Sequence, residues 1–183
     1  MPSAPAQLPV HLAEMPMYCL YQAWSQASPV FVRLCEGRFG ITRREWRLLA
    51  AAVEYGPLTS AELAATARLD LVRTSRALGT LCEKGWAARV RDTQDKRITN
   101  VMATESGQAL YQAMLPEIAR LNDLLMADLS PDEARQLLRL LQVVAQRGAR
   151  MATENIVADK ASRRQGGTRR AQRPDRTGRA GLD

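Results

Sequence analysis

Between Thr59 and Thr104 the chain sets arginine where an apolar core has no use for it. The stretch D-L-V-R-T-S-R-A-L-G-T-L-C-E-K-G, residues 70–85, places Leu71, Thr74, Leu78, Leu81 and Cys82 at spacings of three and four, which turns them inward on a helix. Val72, Arg73, Ser75, Arg76, Gly79 and Thr80 fall on the other face. An arginine fork matches guanine O6 and N7, and a hydroxyl serves a base or a phosphate. Gly79 costs about 1 kcal/mol against alanine in a helix interior, which the close approach of a backbone, nucleic acid or protein, would justify. Two segments follow, W-A-A-R-V-R and R-I-T-N-V-M-A, alternating in strand fashion around the polar turn D-T-Q-D-K. This hairpin carries Arg89, Arg91, Lys96 and Arg97. An arginine at its tip is long enough to enter a minor groove, and Asp95, two residues before Arg97, is within reach to hold that side chain. Exposed arginines are ordinarily just solvated, and an aspartate near one is ordinarily a weak surface pair. The order of helix, turn, arginine helix and arginine hairpin is what points to duplex DNA.

Other chemistries find little material. The three cysteines, Cys19, Cys35 and Cys82, are far apart and never in a C-x-x-C pair, which speaks against a disulfide framework or zinc site and for a reducing cytoplasm. One histidine, His11, lies in a proline-rich lead. With no nucleophile–base pair, metal cluster or phosphate loop, an enzyme is set aside, and no metal or cofactor is expected. No apolar run is long enough to span a bilayer, so neither a membrane partner nor a secretion signal is expected. The net charge is +7, but residues 159–183 contribute eight Lys/Arg against three Asp, so most of the basicity belongs to the tail. That tail, rich in Arg, Gly and Gln, reads as disordered.

The elements that must position the arginines can be read from their punctuation. Residues 1–15, with Pro2, Pro5 and Pro9, form a flexible arm. A first helix runs from about Met17 to Glu36 with Pro16 in its first turn, and Leu20, Trp24, Ala27, Phe31, Leu34 and Cys35 on one face; Pro29 should kink or split it. Capping boxes at Thr42/Glu45 and Thr59/Glu62 open the second and third helices, and Asp70 caps the fourth, which ends at Lys84-Gly85. After the hairpin, Thr104 caps a fifth helix to about Asp128, bent at Pro116. Ser130, Pro131 and Glu133 open a sixth, with Leu137, Leu138, Leu141, Val144 and Ala145 on one stripe. The fold is thus mostly α with a small β-wing: a winged helix-turn-helix lobe over 42–104 and a helical dimerisation region over 16–38 and 105–158. The leucine stripes of the last two helices exceed what one small lobe covers, which implies a homodimer.

The chain resembles the MarR family of bacterial transcriptional regulators over about residues 17–150. S-A-E-L-A at 60–64, L-C-E-K-G at 81–85 followed by Arg89, D-K-R at 95–97, V-M-A-T at 101–104 with Gly107, and T-R-R-E-W-R-L-L at 42–49 carry the resemblance. By position it implies that Arg73, Ser75 and Arg76 read the major groove, and that Arg97, oriented by Asp95, enters the minor groove. Ser60, Val72, Thr74, Thr80, Arg91 and Lys96 complete the expected DNA-contacting set. It further implies a homodimeric regulator, most often a repressor, on a pseudo-palindromic operator of double-stranded DNA.

Family members often bind a small aromatic acid and release DNA. Tyr18, Tyr21, Trp24 and Ser28 on the first helix, with Arg43, Trp46 and Arg47 on the second, would suit a planar carboxylate as aromatic walls and arginine forks. Trp24 and Trp46, at apolar positions, serve equally as core. Two other readings stay open. Some relatives sense peroxide through a cysteine early in the first helix, where Cys19 lies, although nothing basic adjoins it. A non-specific architectural binder would also use a winged helix and a basic tail.

Overall fold

The computed structural model describes residues 11–154, 156 and 157. The tail expected over 159–183, and all of the arm before His11, lie outside the described residues. Within the arm, Leu12–Glu14 make a 3-10 turn. The chain divides into two compact units, Met1–Leu129 and Ser130–Asp183.

In the first unit, α1 (Pro16–Val32) starts on Pro16 at its first turn. It passes through Pro29 without a break and widens into a π-helical turn only at Arg33–Arg38. No residue of α1 is buried, and Trp24, expected on an inward face, is 56% exposed.

α2 (Arg43–Tyr55) opens on the expected reciprocal cap: the Glu45 amide donates to Thr42 Oγ1 at 3.2 Å, and the Thr42 amide donates to Glu45 Oε2 at 2.9 Å. α3 (Ser60–Thr66) repeats this at Thr59 and Glu62, and α4 (Leu71–Glu83) starts where Asp70 Oδ1 accepts the Arg73 amide at 2.8 Å. Each cap satisfies amides that a helix leaves unpaired. Gly85, at φ +71°, ends α4 in the left-handed region, where an L side chain would be strained.

β2 (Ala87–Arg91) and β3 (Thr99–Ala103) form the expected hairpin, with Arg89 opposite Val101. A third strand was not foreseen. β1 (Leu58–Thr59) pairs antiparallel with β3, Leu58 against Val101, giving the order β1-β3-β2. Two residues are too few to show alternation, so only the pairing reveals them.

α5 (Glu105–Leu125) is capped by Thr104, whose Oγ1 accepts the Gly107 amide at 3.1 Å, and runs unbroken through the exposed Pro116. It is pinned to α2 by Tyr111, whose ring stacks on Trp46 at 5.3 Å and whose hydroxyl donates to Glu54 Oε1 at 2.6 Å. The bond to Glu54, with burial, pushes the Tyr111 phenol up to about 12, because both favour its neutral form. The core gathers Ile41, Leu48, Leu49, Leu63, Leu78, Leu81, Val101 and Met114, all essentially inaccessible.

In the second unit α6 (Pro131–Thr153) opens on the Ser130/Glu133 box, with Pro131 in the first turn. Its stripe of Leu137, Leu138, Leu141 and Val144 is exposed.

Candidate nucleic-acid interface

α4 has the sidedness that groove reading requires. Thr74, Ala77, Leu78 and Leu81 are buried, while Val72, Arg73, Ser75 and Arg76 are exposed. Two expectations are corrected here. Thr74 cannot touch DNA: it is wholly buried, and among the described residues its hydroxyl has no hydrogen-bond partner. Leu71, expected inward, is 62% exposed, because the first residue of the helix overhangs the core. Asp70 both caps α4 and pairs with the Arg73 Nε at 3.2 Å, so this arginine stands tethered beside the helix start. Arg76 has no such tether among the described residues. Thr80 and Ser60 are half-buried, Thr80 donating to the Arg76 carbonyl at 3.3 Å. At Gly79 an added Cβ would meet no protein atom within 4 Å, so packing among the described residues does not demand the glycine.

On the wing, Arg89, Arg91, Lys96 and Arg97 are all exposed. The expected role of Asp95 changes. Its Oδ1 accepts the backbone amide of Arg97 at 2.9 Å, and no ion pair joins it to the Arg97 guanidinium among the described residues. An aspartate two residues ahead of an amide forms an Asx turn more readily than it captures a long side chain. Asp95 therefore shapes the backbone that aims Arg97.

The organiser of the tip, overlooked in the sequence, is Asp92. Its Oδ1 accepts the amides of Gln94 at 2.8 Å and Asp95 at 3.1 Å, and its Oδ2 accepts Asn100 Nδ2 at 3.0 Å. Those bonds, the Asp95 amide first, hold its carboxyl below the usual range. The only signal was the pair of aspartates flanking T-Q.

The interface is braced from behind. Buried Glu45 accepts Lys84 Nζ at 3.1 Å; Lys84 also donates to the Gly40 carbonyl at 2.9 Å and lies 4.9 Å over the Trp86 ring. Thr104 and Ser106 hydroxyls donate to the Gly85 carbonyl at 2.6 and 2.8 Å. These contacts tie the end of α4 to the starts of α2 and α5.

A cleft of about 530 Å³ opens between α1 and α2. Of the seven residues expected around a ligand, it gathers Trp24, Ser28, Arg43 and Arg47. Arg43 Nη1 donates to Ser28 Oγ at 2.6 Å, and the guanidinium lies 5.1 Å from the Trp24 ring centre. Arg47 is less basic than usual, first from desolvation and then from repulsion by Arg43 and Arg44. Tyr18 and Tyr21 are exposed and line no part of it. Trp46 does not line it either: it is held in the core by its stack on Tyr111 and borders instead a smaller cleft of about 300 Å³. Phe31, Glu36, Arg44 and Leu125 were missed as lining residues. Arg44 had a signal in T-R-R-E-W-R, whereas Leu125 comes from a helix far along the chain.

Cys35 is wholly buried, and burial pushes its thiol up to about 11. Cys82 is half-buried, and Cys19 is exposed with its thiol donating to the Ala13 carbonyl at 3.0 Å. Among the described residues no group of acidic, His or Cys side chains could hold a metal, and no helix is long and apolar enough to cross a membrane.

A capped two-helix unit with an arginine edge, followed by a basic hairpin and braced on a third helix, defines a winged helix-turn-helix DNA-binding protein. Residues 39–98 match the MarR family of transcriptional regulators. The transcriptional repressor NicR of Pseudomonas putida is 28% identical over 135 residues, covering 73% of this chain and 84% of NicR. A probable transcriptional regulator from Pseudomonas aeruginosa superposes with a TM-score of 0.67 at 25% identity, over 73% of this chain and 99% of its own. BpsR of Bordetella bronchiseptica, whose DNA binding is regulated by 6-hydroxynicotinic acid, shares the fold with a TM-score of 0.69 at 20% identity, over 75% of this chain and 98% of its own. These relatives are regulators, not enzymes.

Proposed function

We propose that the chain is a homodimeric repressor that reads a pseudo-palindromic operator and is released from it by a small aromatic acid. The observation that carries the DNA part is the sidedness of α4: an exposed Arg73–Ser75–Arg76 edge backed by a buried one. A rigid backing fixes where the guanidinium forks go, which base readout requires. Arg97, on a tip shaped by Asp92 and Asp95, is the minor-groove probe. The exposed leucines of α6 and the uncovered face of α1 support pairing with a second copy. Two such copies would set their recognition helices about 34–36 Å apart, one turn of DNA.

The effector part rests on the cleft between α1 and α2, with an aromatic wall and an arginine held in place by Ser28. BpsR, regulated by an aromatic acid, and NicR, a repressor, support the same reading. Release would follow from a ligand that binds one spacing of the recognition helices better than the other.

The test uses footprinted operator DNA and a random duplex of equal length. Arg76→Ala should weaken operator binding about tenfold or more, one lost bidentate contact, and leave random-duplex binding nearly unchanged. Equal losses on both would make the protein a non-specific architectural binder. Removing the basic tail after Lys160 should chiefly reduce the salt dependence of binding. For the effector, band shifts with benzoate, salicylate and 6-hydroxynicotinate should show release. If none acts and peroxide does, Cys19 becomes the sensor.

A further inference from the structure

Arg43, Arg44 and Arg47 all line the cleft between α1 and α2, within one turn at the start of α2. Among the described residues none of the three takes part in an ion pair. Among the described residues the cleft's one carboxylate is Glu36, so this lining carries two positive charges in excess. Arg43 is already anchored, one nitrogen on Ser28 and its face towards Trp24. Arg47 is the strained member: partly desolvated and repelled by the other two, its cation is less stable than in water.

A single carboxylate would engage one fork and leave the other cation without a counter-ion. Arg43 and Arg47 stand one helical turn apart, which separates their Cβ atoms by about 5–6 Å. Two acidic groups on opposite or alternate positions of one aromatic ring have a comparable spread. The cleft's volume, about 530 Å³, accommodates such a molecule, and Trp24, Phe31 and Leu125 offer it apolar surface.

We propose that the ligand of this cleft is an aromatic dianion, a flat ring bearing two separated acidic groups, rather than an aromatic monoacid. This rests on the effector reading above and narrows it to a charge class. Arg43 takes one acidic group, and Arg47, with Arg44 beside it, takes the other.

The experiment is calorimetric titration of the full-length protein near neutral pH with benzoate, isophthalate and terephthalate, and with inorganic sulfate as a dianion lacking a ring. At least one of the two dicarboxylates should bind about tenfold or more tightly than benzoate, the worth of one added charge-assisted hydrogen bond. Arg47→Gln should erase that preference, lowering dicarboxylate affinity about tenfold more than it lowers benzoate affinity; circular dichroism confirms that the exposed substitution leaves the fold intact. Glu36→Gln should strengthen dicarboxylate binding. Benzoate binding as tightly as both dicarboxylates overturns the proposal and spares the aromatic-acid reading. Sulfate matching the dicarboxylates overturns it as well, since charge alone would then suffice. If none of the aromatic acids binds, both fall together.

Discussion

Gly107 sits where the first turn of α5 meets the chain entering the wing. A Cβ built there would lie 2.0 Å from the Trp86 carbonyl oxygen, 2.9 Å from its carbon and 3.2 Å from Leu49 Cδ1. Carbon and oxygen in ordinary contact stay about 3.3 Å apart, so Gly107→Ala must open the joint by about 1 Å. Trp86 cannot simply yield. Its amide donates to the Leu81 carbonyl at 2.9 Å, and its oxygen accepts the Thr104 amide at 3.2 Å. α5 must swing instead, which strains the Thr104 bonds to Gly107 and Gly85. Overpacking costs about 1–3 kcal/mol, and two weakened hydrogen bonds add about 2. The helix gains about 1 kcal/mol by losing a glycine, which leaves a net loss of about 3 kcal/mol. Urea unfolding followed by circular dichroism at fixed protein concentration should show the midpoint fall by about 1.5 M, taking a slope near 2 kcal/mol/M. Gly148→Ala in α6 is the control: among the described residues nothing lies within 4 Å of its added Cβ, so it should stabilise by up to about 1 kcal/mol. A Gly107→Ala protein as stable as the parent would refute the steric reasoning.

Three further outcomes follow from the same surfaces. Gly79→Ala, with no protein atom near its added methyl, should raise stability by about 1 kcal/mol yet weaken operator binding; unchanged affinity in a band shift would show that DNA does not approach there. Thr74→Val removes a buried hydroxyl that has no partner, and should stabilise by about 1 kcal/mol with no effect on operator affinity; a loss of affinity would restore Thr74 to the DNA-contacting set. Asp92 has a depressed folded-state pKa, so the order it confers on the wing tip is present above the ordinary aspartate range and is lost as pH falls through its folded value. Amide protection at Gln94 and Asp95, with exchange corrected for its intrinsic pH dependence, should fall over that acidic window, and protection that ignores Asp92 protonation would count against its organising role.

What could be read from the amino acids alone was whatever closes within three or four residues. Thr42 with Glu45, Thr59 with Glu62, Asp70 with the Arg73 amide and Ser130 with Glu133 all bond as their spacing predicts, because a cap and its amide are brought together by the helix itself. The hairpin and the arginine edge of α4 are legible for the same reason, since alternation and helical period fix which way neighbours point. The same local logic misled at Leu71 and at Asp95: a helix's first residue overhangs the core it nominally faces, and an aspartate two residues from an arginine prefers its amide.

Tertiary structure decided everything that joins distant parts of the chain. Trp46 is as apolar in sequence as Trp24, yet Tyr111 from α5 holds Trp46 in the core while Trp24 stays exposed above the cleft. Which of the seven candidate ligand residues meet in one cavity depended on where α1 crosses α2, and Leu125 joined them from far along the chain. β1 exists only because β3 passes beside it, and Gly107 is required only because the Trp86 carbonyl lies against α5. Residue spacing sets the direction in which a side chain leaves its own element, but what it meets there is set by the packing of elements that sequence order does not adjoin.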